Sequence, residues 1–296
     1  IVGYAGVNIV VGIIIFILNV KNGKNFFNKE FWKYALGFNI PLLAYYLSQV
    51  VFNQSDRIMI SHITSTSDAA MYGVAYNLAT ILTFVLNAIN GSYVPWLYGK
   101  IKKNNAQDNK PISLILVMLM GLIILCVIWY APEIILIMAG KQYSVAIYVV
   151  APVSMSLLLL FYSQLFINIE FYYEEKKMLV YGSIGAAVLN IILNGLLIPI
   201  FGFVAAGYTT LISYIVFVLS NYYTMRLMLK KRKLDDDMYD YKLLLLLFVV
   251  FMISGFLGVA LYGNLILRIL ITLVVFGLLV INKNKFIDAL KKIKER

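Results

Sequence analysis

Residues 243–250 read LLLLLFVV, eight consecutive apolar side chains with no alternation of polarity. A strand of a membrane barrel would alternate lipid-facing and lumen-facing residues over about ten positions, so the stretch is read as helix. Continued to residue 262 it is long enough to cross a bilayer, which takes about 20 helical residues. Outward from it, runs of the same kind occupy 1–20, 34–57, 69–98, 111–131, 143–169, 178–200, 203–225 and 264–282. The chain is therefore expected to be an all-α integral membrane protein with about nine transmembrane helices. Composition agrees: of 296 residues, 62% are hydrophobic and 13% charged, whereas a soluble domain carries about a quarter charged residues. Mean hydropathy is +0.86. The single cysteine, Cys126, lies in an apolar run, which removes disulfide frameworks and cysteine metal centres.

A net charge of +11 would suit nucleic acid, but its distribution assigns it to a membrane. Lys and Arg gather in alternate loops: Lys21 to Lys33, Lys100 to Lys110, Lys176 and Lys177, Arg226 to Lys242, and Lys283 to Arg296. Only Arg57, Lys141 and Arg268 fall on the other side. Cytoplasmic loops retain positive charge during insertion, so the C-terminus is expected in the cytoplasm and the first residue outside. No nucleic-acid partner is needed. An outside start directly in an apolar run, at Ile1, leads to the expectation that the sequence is part of a longer one.

Two spans carry polar stripes. In the second, Asn39, Tyr46, Gln49, Asn53 and Arg57 fall within roughly 80° of one helical face, with Asp56 at its edge. In the third, Tyr72, Tyr76, Thr80, Thr83, Asn87 and Asn90 recur every three or four residues. Single Asn or Thr residues commonly bond helices together, each such bond being worth about 0.6 kcal/mol. Two long stripes side by side are better accommodated by an aqueous cavity, since hydrophilic faces are costly against lipid. Asn39, Tyr46, Gln49, Asn53, Asp56, Arg57, Tyr72, Tyr76, Thr83, Asn87 and Asn90 are thus the candidate cavity residues. Arg57 stands out, because a guanidinium suits bidentate recognition of phosphate; pairing with Asp56 or reaching outward to water are its plainer roles. Pro41 and Pro152 lie inside spans and are candidate hinges, although static bends explain them as well.

Other features are weaker. Gln164, Asn168 and Glu170, with Glu174 and Glu175 beyond, read as a solvated inner mouth, and Asn190 and Asn194 as helix glue. Gly182, Gly185 and Ala186 form a small-residue packing face. His62, the only histidine, is a conceivable proton-coupling group. Asp235 to Asp237 with Asp240 follow KKRK as a solvated charge run rather than a metal-binding DxD site. Rings such as Trp96, Tyr98, Trp129 and Tyr130 mark the membrane interfaces, and segments 24–34 and 285–296 read as surface helices. No catalytic motif, phosphate loop or metal-ligand cluster is present, and the outer loops are short. No enzyme and no metal are expected.

Residues 55–82 (SDRIMISHITSTSDAAMYGVAYNLATIL) and 93–98 (YVPWLY), then 175–178 (EKKM) and 190–214 (NIILNGLLIPIFGFVAAGYTTLISY), resemble bacterial polysaccharide-export and O-antigen flippases. These form part of the multidrug/oligosaccharidyl-lipid/polysaccharide (MOP) exporter superfamily. The resemblance covers most of the chain with loose motifs. It implies a two-lobed transporter of up to 14 helices with cytoplasmic termini, of which this chain would hold helices 6 to 14. Residues 1–33 would be the last helix of the N-terminal lobe with an inter-lobe surface segment. Residues 34–230 would be the six-helix C-terminal lobe, and 231–296 two further helices with a cytoplasmic tail. It implies that Asp56 and Arg57 occupy the position of cavity charges meeting an anionic lipid carrier. The implied activity is flipping of undecaprenyl-pyrophosphate-linked oligosaccharide for O-antigen, lipopolysaccharide or capsule export across the bacterial cytoplasmic membrane. The implied partners are that lipid-linked oligosaccharide, membrane lipid and a glycan polymerase, with the protein a monomer. No cofactor is implied, and a coupling ion, H+ or Na+, is left open. The alternatives are a drug/cation antiporter or peptidoglycan-precursor flippase of the same superfamily, or a membrane-embedded glycan polymerase.

Overall fold

A computed structural model describes residues 2–23, 27–175, 177–234 and 236–281. Among them the chain is helical throughout, with no strand. The helices are α1 (Val2–Gly23), α2 (Lys29–Ile63), α3 (Thr66–Lys102), α4 (Asn109–Trp129), α5 (Ala131–Met138), α6 (Ile147–Tyr172), α7 (Lys177–Phe201), α8 (Val204–Lys231), α9 (Tyr241–Ala260) and α10 (Leu265–Ile281). Each expected span has its helix. Six stretches, from Thr66–Lys102 to Tyr241–Ala260, have the length and apolarity to cross a membrane, and two shorter apolar helices, Gly6–Lys21 and Leu265–Val274, flank them. The chain is a multi-pass membrane protein.

The unforeseen element is α5, which with the 3-10 turn Lys141–Ala146 bridges α4 and α6. Pro132 suits its first turn, where the missing N–H has no helical partner to lose. The surface segment expected at 285–296 and part of that at 24–34 lie outside the described residues.

The chain divides into two compact units, Ile1–Ala44 and Tyr45–Arg296. The first holds α1 and the opening turns of α2. Up to Val20, α1 is apolar in every direction except at Asn8 and Asn19, the pattern of a helix solvated by lipid. In this unit α2 starts beside Asn28, whose Oδ1 accepts from the backbone N–H of Glu30 at 3.0 Å.

In the second unit α6 is the axis, packed against α3, α4, α8 and α9. Its residues Val149 to Leu159 are buried without a break, as expected of a helix wrapped by others. α7 packs on α8, and α9 on α4. The last contact is close because glycine permits it: a Cβ on Gly121 would overlap the Phe251 ring, and one on Gly258 the Trp129 indole. Pro152 is buried inside α6, against Gly207 of α8. Position 41 lies within α2 and does not end it; the Pro41 side chain lies outside the described residues.

α2 and α3 are joined by Thr64 and Ser65 alone, and near this corner they lie side by side. Ser65 caps α3, its Oγ accepting from the N–H of Asp68 at 3.0 Å. At 35 and 37 residues these helices are about 50 Å long, longer than a 30 Å hydrocarbon core.

α10 is fastened to α5 by a buried charge. Arg268, 1% exposed, donates to both Glu133 oxygens at 2.8 and 2.6 Å, to the Tyr262 carbonyl at 3.2 Å and to the Trp129 carbonyl. These bonds hold the Glu133 carboxyl below the usual carboxylate range.

Candidate functional site

Successive helical residues point about 100° apart, and this separates Asp56 from Arg57. Asp56 turns inward and is fully buried. Its carboxylate accepts from the Tyr72 hydroxyl at 2.5 Å, Asn194 Nδ2 at 2.6 Å and the Thr210 hydroxyl at 2.7 Å, one donor each from α3, α7 and α8. The Tyr72 contact follows from the short α2–α3 link, since both residues lie eight positions from Thr64. The cluster continues outward. Asn190 Nδ2 donates to Thr210 at 3.1 Å, Ser55 donates to Asn190 Oδ1 at 3.1 Å, and Thr209 donates to Asn194 Oδ1. Four helices thus meet on one carboxylate. Three donors satisfy it as an anion, which is what makes a buried charge tolerable.

This corrects one expectation. Asp56 and Tyr72, read as residues of an aqueous face, are enclosed, because at the register set by Thr64 and Ser65 they face α7 and α8. Asn190 and Asn194 bond helices together as expected, Asn194 to Asp56 of α2 and Asn190 to Thr210 of α8 and Ser55 of α2. The only signal for this in the sequence was their one-turn spacing and the Thr209–Thr210 pair at the start of an apolar helix. The cluster holds one negative charge and several neutral oxygens. No group of three or more His, Cys, Asp or Glu that could hold a metal occurs among the described residues. Such a donor set suits a proton or a monovalent cation better than a divalent one.

Arg57 turns the other way and is half-exposed. Its Nη2 donates to Asn77 Oδ1 at 2.9 Å, and its guanidinium lies over the Tyr76 ring, 4.9 Å from the centroid. Gly73 leaves room beside it, since a Cβ there would stand 4.0 Å from the guanidinium. Its Nε is buried without a hydrogen-bond partner. No ion pair of Arg57 occurs among the described residues, and Asp56 does not supply one. A guanidinium held by a ring and an amide, with donors unused and no counter-charge, is equipped to receive an anion.

The other stripe residues divide. Tyr76 and Gln49 are half-buried, and Tyr46 and Asn87 are exposed. Thr83 and Thr80 spend their hydroxyls on carbonyls of their own helix, Thr80 and Asn77. Asn90 bonds Gln164 of α6. Asn39, in the first unit, donates to the Ala35 carbonyl at 2.8 Å. The Asn53 side chain lies outside the described residues. Exposed polar groups therefore run down α3 from Asn77 to Asn87, with Arg57 beside their start. Asn77 escaped sequence reasoning because it flanks the regular Tyr76–Thr80–Thr83 spacing. His62 is exposed near the end of α2.

The aspartates after KKRK are partnered rather than merely solvated. Asp236 pairs with Arg226 and Asp237 with Lys110, and Asp240 caps α9, accepting from the N–H of Leu243 at 3.1 Å. Asp235 lies outside the described residues. Glu170, expected at a solvated mouth, is 1% exposed.

Comparison with known proteins agrees with the resemblance carried by the sequence motifs. Residues 1–99 match a family described as polysaccharide biosynthesis protein. Protein 1 of the Lsg locus of Haemophilus influenzae is 26% identical over 167 residues, 53% of this chain and 40% of that protein. Among solved structures, an outward-facing multidrug resistance MATE family transporter of the MOP superfamily superposes with a TM-score of 0.54 at 19% identity, over 76% of this chain and 52% of the other. A MOP superfamily transporter from Pyrococcus furiosus does so with a TM-score of 0.52 at 18% identity and the same coverage. The chain spans about half the length of the solved structures that it matches, and it has their fold. Its neighbours in structure are transporters, and its match in sequence is to polysaccharide biosynthesis.

Proposed function

We propose that the chain is part of a MOP-superfamily flippase that moves an undecaprenyl-pyrophosphate-linked oligosaccharide across the bacterial cytoplasmic membrane by alternating access. The observation that carries this reading is Arg57: a half-exposed cation with unused donors, at the head of a polar strip on α3. Pyrophosphate is the charged group of such a cargo, and a guanidinium can take it through two parallel hydrogen bonds. The polar strip below offers Asn and Tyr groups to sugar hydroxyls, while the lipid tail stays in the bilayer. The C-terminus is cytoplasmic in this reading, following the positive-inside distribution, and the protein works as a monomer without cofactor or nucleic acid, alongside a glycan polymerase.

Binding does not by itself drive net transport, since a ligand moves an equilibrium only by its differential affinity for the two states. A coupling ion, H+ or Na+, would supply the drive. The knot around Asp56 is the candidate place for it, because it ties α2 to three other helices whose packing alternating access must alter. Pro41 and Pro152 remain candidate hinges.

A drug/cation antiporter of the same superfamily is the second reading. It is disfavoured by which charge faces outward: the acid is enclosed and the base is open. A peptidoglycan-precursor flippase shares every feature named and differs in cargo, and a glycan polymerase would need catalytic groups that no motif supplies. The test is replacement of Arg57 in the full-length protein at equal expression. Arg57→Ala should cut glycan export by at least about tenfold, corresponding to a loss of about 1.4 kcal/mol, with Arg57→Lys retaining part. Unchanged export would remove Arg57 from the mechanism, and drug efflux in a hypersensitive strain would favour the antiporter.

A further inference from the structure

A second buried acid differs from Asp56 in how its oxygens are used. Glu170, in the last turns of α6, is 1% exposed. One oxygen, Oε1, meets the Thr224 hydroxyl of α8. The other, Oε2, is buried with no hydrogen-bond partner, and no Lys or Arg among the described residues pairs with Glu170. Thr224 has a single hydroxyl proton and two acceptors within reach, Glu170 Oε1 and, at 3.1 Å, the Asn221 carbonyl. If that proton serves Asn221, Glu170 must bring its own to the contact. A carboxylate in this position would be a desolvated anion with one donor, where Asp56 has three, and the titratable groups among the described residues that act on it, Tyr45 of α2 and Glu175, bring no positive charge. Protonation removes the charge and turns an acceptor into a donor.

The contact also has a way out. Thr224 lines a cleft of about 370 Å³ between α7 and α8, whose wall includes Gly182, Gly185, Ser220 and Tyr223. Gly185 has open space where a Cβ would stand, so a larger side chain there would project into the cleft. It lies at the end of the bundle where α8 runs into Lys230, Lys231 and Arg232.

We propose that Glu170 is a proton-binding site, exchanging its proton with bulk water through the Thr224 hydroxyl and the cleft between α7 and α8. In the loaded state the Glu170 carboxyl donates to Thr224 Oγ1, and Thr224 donates to the Asn221 carbonyl. On unloading, the proton leaves through the cleft, and the Thr224 hydroxyl rotates to donate to the carboxylate. The proposal deepens the carrier reading by naming a proton as an ion the protein binds, and it rests on that reading only for the use to which the proton is put.

The test is infrared spectroscopy of the purified full-length protein with 13C-labelled glutamate. At neutral pH a protonated-carboxyl C=O band should be present, should shift with the 13C label, should vanish in Glu170→Gln and should survive in Asp56→Asn. Transfer to D2O should shift it. Thr224→Val, or Gly185→Leu to fill the cleft, should slow that exchange by at least about tenfold, the effect of a barrier higher by about 1.4 kcal/mol, while Thr224→Ser should leave it fast. Absence of a label-sensitive band, or its persistence in Glu170→Gln, overturns the site. Exchange indifferent to both Thr224→Val and Gly185→Leu overturns the route. Should Glu170→Gln fail to fold, the label shift and the pH titration of the band in the unsubstituted protein still decide. None of these readings requires transport, so a protein that carried no glycan would still show the band, and loss of the band would leave the Arg57 test untouched.

Discussion

Asp56 and Arg57 are adjacent in sequence and opposite in circumstance. The acid is fully buried and has a donor from each of three other helices. The base is half-exposed, bonds Asn77 and lies over Tyr76 of α3, and has no ion pair among the described residues. Helical rotation places one toward packed protein and the other toward the open face. The difference teaches that a charge within a membrane helix is not in itself a ligand site. A charge whose hydrogen-bonding capacity is consumed by its own chain holds the fold, and one left with capacity is free for something else.

The contrast can be broken most directly at Asp56. Asp56→Ala leaves the Tyr72, Asn194 and Thr210 donors without an acceptor and should destabilise the protein by about 3 kcal/mol or more. Asp56→Asn, which keeps an acceptor oxygen, should cost about 1 kcal/mol; thermal melting in detergent separates them, and equal melting would show that the knot is not structural. A step smaller, Arg268→Met removes a buried cation whose partner Glu133 keeps a third of its side chain in contact with solvent, and about 2 kcal/mol is expected in the same assay. Arg57→Met should change stability by no more than about 0.5 kcal/mol while export falls; a large loss of stability would erase the distinction drawn here.

The smallest effect concerns pH. Arg268 lowers the Glu133 pKa in the folded protein, so the pair contributes stability above the ordinary glutamate value. That contribution fades as pH falls below about 4, through the lowered folded value. The melting temperature should therefore drop on acidification, less steeply in Glu133→Gln, and an identical pH profile for the two proteins would contradict the assignment.

The spans were legible because apolar runs of span length with lysine-rich segments at alternate loops leave little choice. The bridge at 131–146 was not, since Ala131–Met138 is as apolar as a span and differs only in being short. At the site, periodicity misjudged individual depths. Asp56 and Arg57 fall within one arc when α2 is viewed alone, and only the packing of α7 and α8 against one edge of that arc divides them. Glu170 misled for a related reason. Beside Glu174 and Glu175 it reads as one of three solvated acids, yet it is the one that α8 covers. Periodicity finds a face, and partners decide what the face meets.

The link of Thr64 and Ser65 acts as a ruler. With so few residues and a capped start to α3, no slack can absorb a change in length. One inserted residue there would swing α3 by about 100° or push it along its axis by about 1.5 Å, taking Tyr72 off Asp56 and Tyr76 off Arg57 together. Epitope tags and reporter loops placed at this corner should therefore disable both charges at once, whereas the exposed turn at 102–105 offers a safer place to write.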